Sequence, residues 1–153
     1  MKKGKTFFVL IVVLVIFLGL LPAREKSRQS VIQMVILLDT SGSMEGLIEQ
    51  AKTQLWKIVN EMALAKKNGK VPRLLVGLYE YGKSTIPASE GYLRMLVPLS
   101  EDLDRISEEL FKLKTNGGQE YCGKVIRAAT RGLQWSQNNS DYKVVFIAGN
   151  EPF

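Results

Sequence analysis

The stretch Met34-Val35-Ile36-Leu37-Leu38-Asp39-Thr40-Ser41-Gly42-Ser43 decides how this chain is read. Apolar residues run without a break into a carboxylate, and hydroxyls follow at alternate positions. A continuous apolar run of this kind, spanning Val31 to Leu38, predicts a strand buried on both faces of a parallel sheet. Downstream, Leu47, Ala51, Leu55, Ile58 and Met62 recur at three- and four-residue steps, which predicts an amphipathic helix from about 45 to 66. Asp39, Ser41 and Ser43 therefore stand at the carboxyl end of a buried strand beside a helix, the place where open α/β sheets bind ligands. Alternate residues of an extended segment face one side, and Gly42 permits a tight turn between them. Hard divalent cations take such oxygen ligands. The three residues are candidate metal ligands rather than a catalytic centre.

Working outward, Lys66-Lys67-Asn68-Gly69-Lys70 stops the helix with positive charge and a glycine. Leu74 to Tyr81 reads as a second strand. Tyr92 to Leu99 reads as a third, with Pro98 marking it as short or at an edge. Ser100 reads as the cap of a helix from about 101 to 113, marked by Leu103, Ile106, Leu110 and Leu113. Glu101, Asp102 and Asp104 suit the first turn of that helix, where carboxylates complement the dipole. Thr115-Asn116-Gly117-Gly118 is a loop. A helix over about 120–135 follows, with Val125, Ile126, Ala129 and Leu133 on one face, and Tyr142 to Ala148 is a further buried strand. Alternating strands and helices predict an α/β fold, a doubly wound, mainly parallel sheet flanked by helices. Trp56 and Trp135 fall on predicted helices as packing or surface residues. Cys122, near a helix start, reads as a small packed residue.

The 153 residues suffice for one domain, and 46% hydrophobic content supports a real core. Of the net charge of +6, half comes from Lys2, Lys3 and Lys5. No basic stripe interleaved with aromatics occurs, which speaks against nucleic-acid binding. The chain has one cysteine and no histidine, so serine–histidine and cysteine–histidine catalysis are excluded within it. After the N-terminal lysines, Phe7 to Leu21 carries no charged side chain, and Pro22-Ala23 closes the run. Residues 1–23 are a signal peptide or a signal anchor. As a helix the run is about 22 Å long, short of a ~30 Å hydrocarbon core, which favours cleavage. Bulky Leu21 speaks against cleavage after Ala23, and Arg24, Lys26 and Arg28 just beyond the run disfavour smooth export. Residues 24–30 form a polar linker. The expected location is outside the cytoplasm, whether periplasmic, secreted or membrane-anchored.

A buried strand ending in Asp39-Thr40-Ser41-Gly42-Ser43 before a helix resembles the von Willebrand factor A (VWA) domain. The resemblance covers roughly Val31 to Phe153 and takes in the long first helix, the Leu74–Tyr81 strand, the Gly-Gly loop and the Val144–Ala148 strand. It implies a metal ion-dependent adhesion site in which Asp39, Ser41 and Ser43 help hold Mg²⁺ or Mn²⁺. An acidic side chain of a partner protein completes the ion's shell. It further implies adhesion or scaffolding rather than enzyme chemistry. Where the family has a threonine ligand, this chain has Gln119 with Glu120 beside it. Glu120 is taken as a further metal ligand, with a dipole-complementing role in the first helical turn as its alternative. Where the family has an aspartate after the central strand, this chain has Gly149, followed by Asn150 and Glu151. The family fold continues with more helix–strand units, so residues 31–153 are expected to be a partial VWA-like domain, incomplete at the C-terminus, with Tyr142–Ala148 near the middle of the complete sheet. Two other readings stand beside it. One is a flavodoxin-like domain whose hydroxyl loop cradles a phosphate at the first helix N-terminus. The other is a structural envelope protein with a degenerate metal site.

Overall fold

A computed structural model describes residues 28–67, 69–118 and 122–150. Strand β1 spans Val31–Asp39, helix α1 Ile48–Leu64, β2 Arg73–Tyr81, β3 Leu93–Ser100, helix α2 Leu103–Lys112, helix α3 Cys122–Gly132 and β4 Tyr142–Ala148. They form one sheet in the order β3-β2-β1-β4. β1 pairs in parallel with β2 on one side and β4 on the other, while β3 runs antiparallel to β2 at an edge. The sheet is thus mixed, and Pro98 sits on an edge strand as its missing N–H requires.

The apolar run of β1 has a simple cause. Its even-numbered side chains Ile32, Met34, Ile36 and Leu38 pack with Leu74, Val76 and Leu78 of β2 beneath Leu55 and Val59 of α1 and Ile106 and Leu110 of α2. Its odd-numbered Val35 and Leu37 pack on the other face with Tyr79 and Tyr81 beneath Val125 and Ala129 of α3. Helices on both faces leave no residue of β1 exposed.

Several boundaries differ from expectation. The chain after Ser41 makes a 3-10 turn over Gly42–Met44, and α1 starts only at Ile48, with no side-chain cap on either element. Gly46, at φ 85°, turns the chain between them. Ser100 does not cap α2. It ends β3 and its hydroxyl accepts from the Asp102 N–H, while the Asp102 carboxylate accepts from the Arg105 N–H and is the cap. Trp135 lies past the end of α3, its indole N–H donating to the Thr130 carbonyl. Trp56 packs against the core from α1. β4 is less buried than its sequence suggested: its two leading residues are exposed and the rest half-buried. Among the described residues it pairs with β1 alone. The signal segment 1–23 and most of the 24–30 linker lie outside the described residues, and no helix within them is long and apolar enough to cross a membrane.

Candidate metal centre

The motif sits where β1 runs out of ladder. Asp39 is the last residue of the strand, and Asp39, Thr40 and Ser41 are all fully buried. The Ser41 N–H donates to Asp39 Oδ1 at 2.8 Å, which fixes the carboxylate across a short Asx-type turn. Ser41 Oγ and Ser43 Oγ lie 2.9 Å apart. Sequence reading placed these three residues together, and the structure brings them together. Thr40 points elsewhere: its hydroxyl reaches the Tyr81 carbonyl at 3.1 Å and Glu80 Oε2 at 3.3 Å, and its N–H bonds the Tyr81 carbonyl.

The loop between α2 and α3 closes over the motif. The Asn116 N–H donates to the Thr40 carbonyl at 3.0 Å. An ideal Cβ on Gly42 would stand 3.3 Å from Gly117 Cα, so the two loops touch backbone to backbone. The Ser84 N–H donates to the Gly117 carbonyl and Ser84 Oγ to Asn116 Oδ1, and Gly118 lies directly against the Gly82 carbonyl, leaving no space for a side chain. Gly118 is therefore a packing requirement of these adjoining loops, whereas a Cβ on Gly117 would meet nothing within 4 Å. Gln119, Glu120 and Tyr121 lie outside the described residues.

The loop after β4 arrives from the other side. Ser43 Oγ donates to Asn150 Oδ1 at 3.0 Å, and Asn150 Nδ2 donates to the Ser43 carbonyl at 3.1 Å. Asn150 thus joins the site, as the sequence allowed. At Gly149 an added Cβ would come 2.5 Å from Tyr81 Oη and 3.1 Å from Asp39 Oδ2. The place of the family's aspartate is taken up by a tyrosine hydroxyl from β2 and by Asp39 itself.

The donor set suits a hard cation. Magnesium prefers octahedral coordination at 2.0–2.1 Å, which puts adjacent ligand atoms about 2.9 Å apart. The two serine oxygens have this spacing beside a buried carboxylate. Among the described residues no group of three His, Cys, Asp or Glu side chains is placed to hold an ion. A phosphate cradle fits less well, because α1 begins five residues beyond Ser43.

Sequence reading missed the charged cluster beneath the site. Glu80 of β2 is fully buried. It accepts from Arg94, its register partner on β3, with Nε at 2.7 Å, and from Lys83 Nζ at 3.5 Å. Together with the Thr40 hydroxyl these contacts saturate the carboxylate. The available signal was a lone charge inside an otherwise apolar strand.

The sequence profile of the von Willebrand factor type A domain matches residues 34–151. No curated relative matches significantly. Among solved structures, the SpRpn10 VWA domain is similar with a TM-score of 0.54 and 15% identity, over 78% of this chain and 60% of that one. The three N-terminal domains of the type V pili tip protein Mfa5 from Porphyromonas gingivalis give 0.53 and 15%, over 76% and 19%. The pilus adhesin SpaC from Lactobacillus rhamnosus GG, in its open conformation, gives 0.57 and 18%, over 80% and 15%. The chain spans less than two thirds of each of these relatives.

Proposed function

Because this chain belongs to the von Willebrand factor type A domain family, whose members typically mediate protein–protein interaction or adhesion, we propose that it is a divalent-cation-dependent interaction module acting outside the cytoplasm, exported or held at a membrane. Asp39, Ser41 and Ser43 hold Mg²⁺ or Mn²⁺, and Glu120, two residues after the Gly117-Gly118 pair in sequence, is a further ligand. The ion, once bound, supplies a positive charge and an open position for an acidic side chain of the partner protein. Asp39 contributes the negative charge, kept in place by the Ser41 N–H. Burial of that carboxylate costs free energy that a bound cation offsets. The role is binding, with no chemistry performed.

The observation that carries this reading is the 2.9 Å spacing of Ser41 Oγ and Ser43 Oγ beside buried Asp39. Calorimetric titration with Mg²⁺ and Mn²⁺ tests it. Asp39→Ala should remove most of the binding, and equal affinity in that variant would sink the proposal. The pilus proteins among the structural neighbours support a surface location, which a reporter enzyme active only outside the cytoplasm, fused after Phe153, tests.

One observation favours a second reading, a structural envelope module with a degenerate site. Tyr81 and Asp39 fill the space of a third carboxylate at position 149. Partner binding that survives a chelator would favour it.

A further inference from the structure

At the end of the sheet opposite Asp39, α1 stops at Leu64 and the chain turns through Lys66, Lys67 and Lys70 into β2. The turn is closed by two backbone bonds, the Lys67 N–H to the Lys70 carbonyl at 2.8 Å and the Lys70 N–H back at 3.1 Å. It is flanked by Leu64, 78% exposed, and Val71, 45% exposed. Tyr142, the first residue of β4, is 55% exposed beside it, with Lys67 Nζ 4.5 Å over its ring. Exposed Lys143 follows.

Three acidic groups at this pole have cationic neighbours: Asp141 is bound to Arg28, Glu101 to Arg73, and Glu61 stands 4.0 Å from Lys57. Lys66, Lys67, Lys70 and Lys143 add four positive charges around the turn. Aliphatic side chains exposed among lysines suit an interface where apolar groups enter the headgroup layer and ammonium groups meet anionic phosphates.

The chain also enters the domain here. Gln29 Nε2 donates to the Val71 carbonyl at 2.9 Å, and the Arg73 N–H to the Ser30 carbonyl at 2.9 Å. Residues 22–28 alone separate this point from the apolar run ending at Leu21. Fully extended, they reach at most about 25 Å.

We propose that the turn between α1 and β2 docks on the anionic phospholipid surface of the membrane, so that the Asp39 end of the domain points away from it toward a partner. β1 separates the two ends by about 26 Å. The inference rests on the membrane-held form of the reading above.

The test uses the full chain with Leu64→Cys in a Cys122→Ser background, labelled at position 64 with an environment-sensitive nitrobenzoxadiazole dye. It is mixed with vesicles of phosphatidylcholine alone or of a phosphatidylcholine–phosphatidylglycerol mixture. Emission should shift to the blue and brighten only with phosphatidylglycerol, and salt should reverse it. Each lysine contributes about fivefold to partitioning, so combining Lys66→Glu, Lys67→Glu and Lys70→Glu should abolish the shift. The matching glutamine variant, which leaves these positions uncharged, should weaken it. Equal emission on both vesicles, or an unaltered shift in the glutamate variant, overturns the proposal. Carbonate extraction separately reports on the anchor: a chain stripped by carbonate that still shows the shift upholds docking and refutes the anchor.

Discussion

An ideal Cβ on Gly149 would stand 2.5 Å from Tyr81 Oη and 3.1 Å from Asp39 Oδ2. Restoring the family's aspartate there should not by itself rebuild a fuller metal site. Gly149→Asp should destabilise the protein by about 1–3 kcal/mol through overpacking, and adding Tyr81→Phe should recover part of the loss. Chemical denaturation of the two single variants and the double variant measures the coupling; strict additivity would show that position 149 has room after all. The neighbouring Tyr79 poses the opposite problem. It is buried, and its hydroxyl has no hydrogen-bond partner among the described residues. Burial pushes its pKa up, because the phenolate is poorly solvated there. An unmade hydrogen bond in an apolar setting costs roughly 1–3 kcal/mol, so Tyr79→Phe should stabilise the fold or leave it unchanged. A clear fall in its urea midpoint would mean that the hydroxyl has a partner.

At the scale of elements, the entry of the chain into β1 is held by Asp141. Its carboxylate accepts from the Ser136 hydroxyl at 2.6 Å, from Arg28 at 3.1 Å and from the Val31 N–H at 3.3 Å. The Ser136 hydroxyl, and then the Arg28 charge and the Val31 N–H, hold its pKa below the ordinary value of 3.8 against the opposing effect of burial. The folded state thus releases this proton more readily than the unfolded chain. The contribution to stability is present above the ordinary value and is lost as pH falls through it toward the lower folded value. Asp141→Asn should therefore lower stability at neutral pH and flatten the acid limb of urea midpoints measured against pH. An unchanged acid limb would assign acid sensitivity to other groups. These links also show what a sequence can reveal. β1, β2 and the three helices were legible, because burial on one or two faces leaves a periodic trace. That Asp39, Ser41 and Ser43 lie together was legible from their spacing, although a 3-10 turn over Gly42–Met44, not strand alternation, brings Ser43 in. The Asp141 and Glu80 clusters were not, because each joins residues distant in sequence whose partner is chosen by sheet register, as Glu80 and Arg94 are. The late start of α1 was hidden too: Glu45 and Leu47 suit a helix, while the backbone turns at positive φ at Gly46 between them.

For the whole molecule, the feature with the widest consequence is the outer side of β4. Its sequence is apolar on both faces, which reads as a strand with neighbours on both sides, yet among the described residues only β1 pairs with it. Its side chains from Val144 to Ala148 are half-buried, since helices cover the sheet less completely at this edge. In a parallel ladder successive residues direct their backbone groups alternately to the two sides, so half of the β4 amides face β1 and half face outward. An open edge of this kind recruits another strand or associates with itself. Hydrogen exchange on the isolated chain should then divide by position. Amides throughout β1 should be the slowest, those of β4 that face β1 nearly as slow, and the intervening β4 amides fast in dilute solution. Raising the protein concentration should slow the outward set and increase the sedimentation coefficient together, because both report pairing at the same edge. Outward amides that are slow in a dilute monomer would mean that a strand already lies against β4, and would return it to the interior position its sequence suggested.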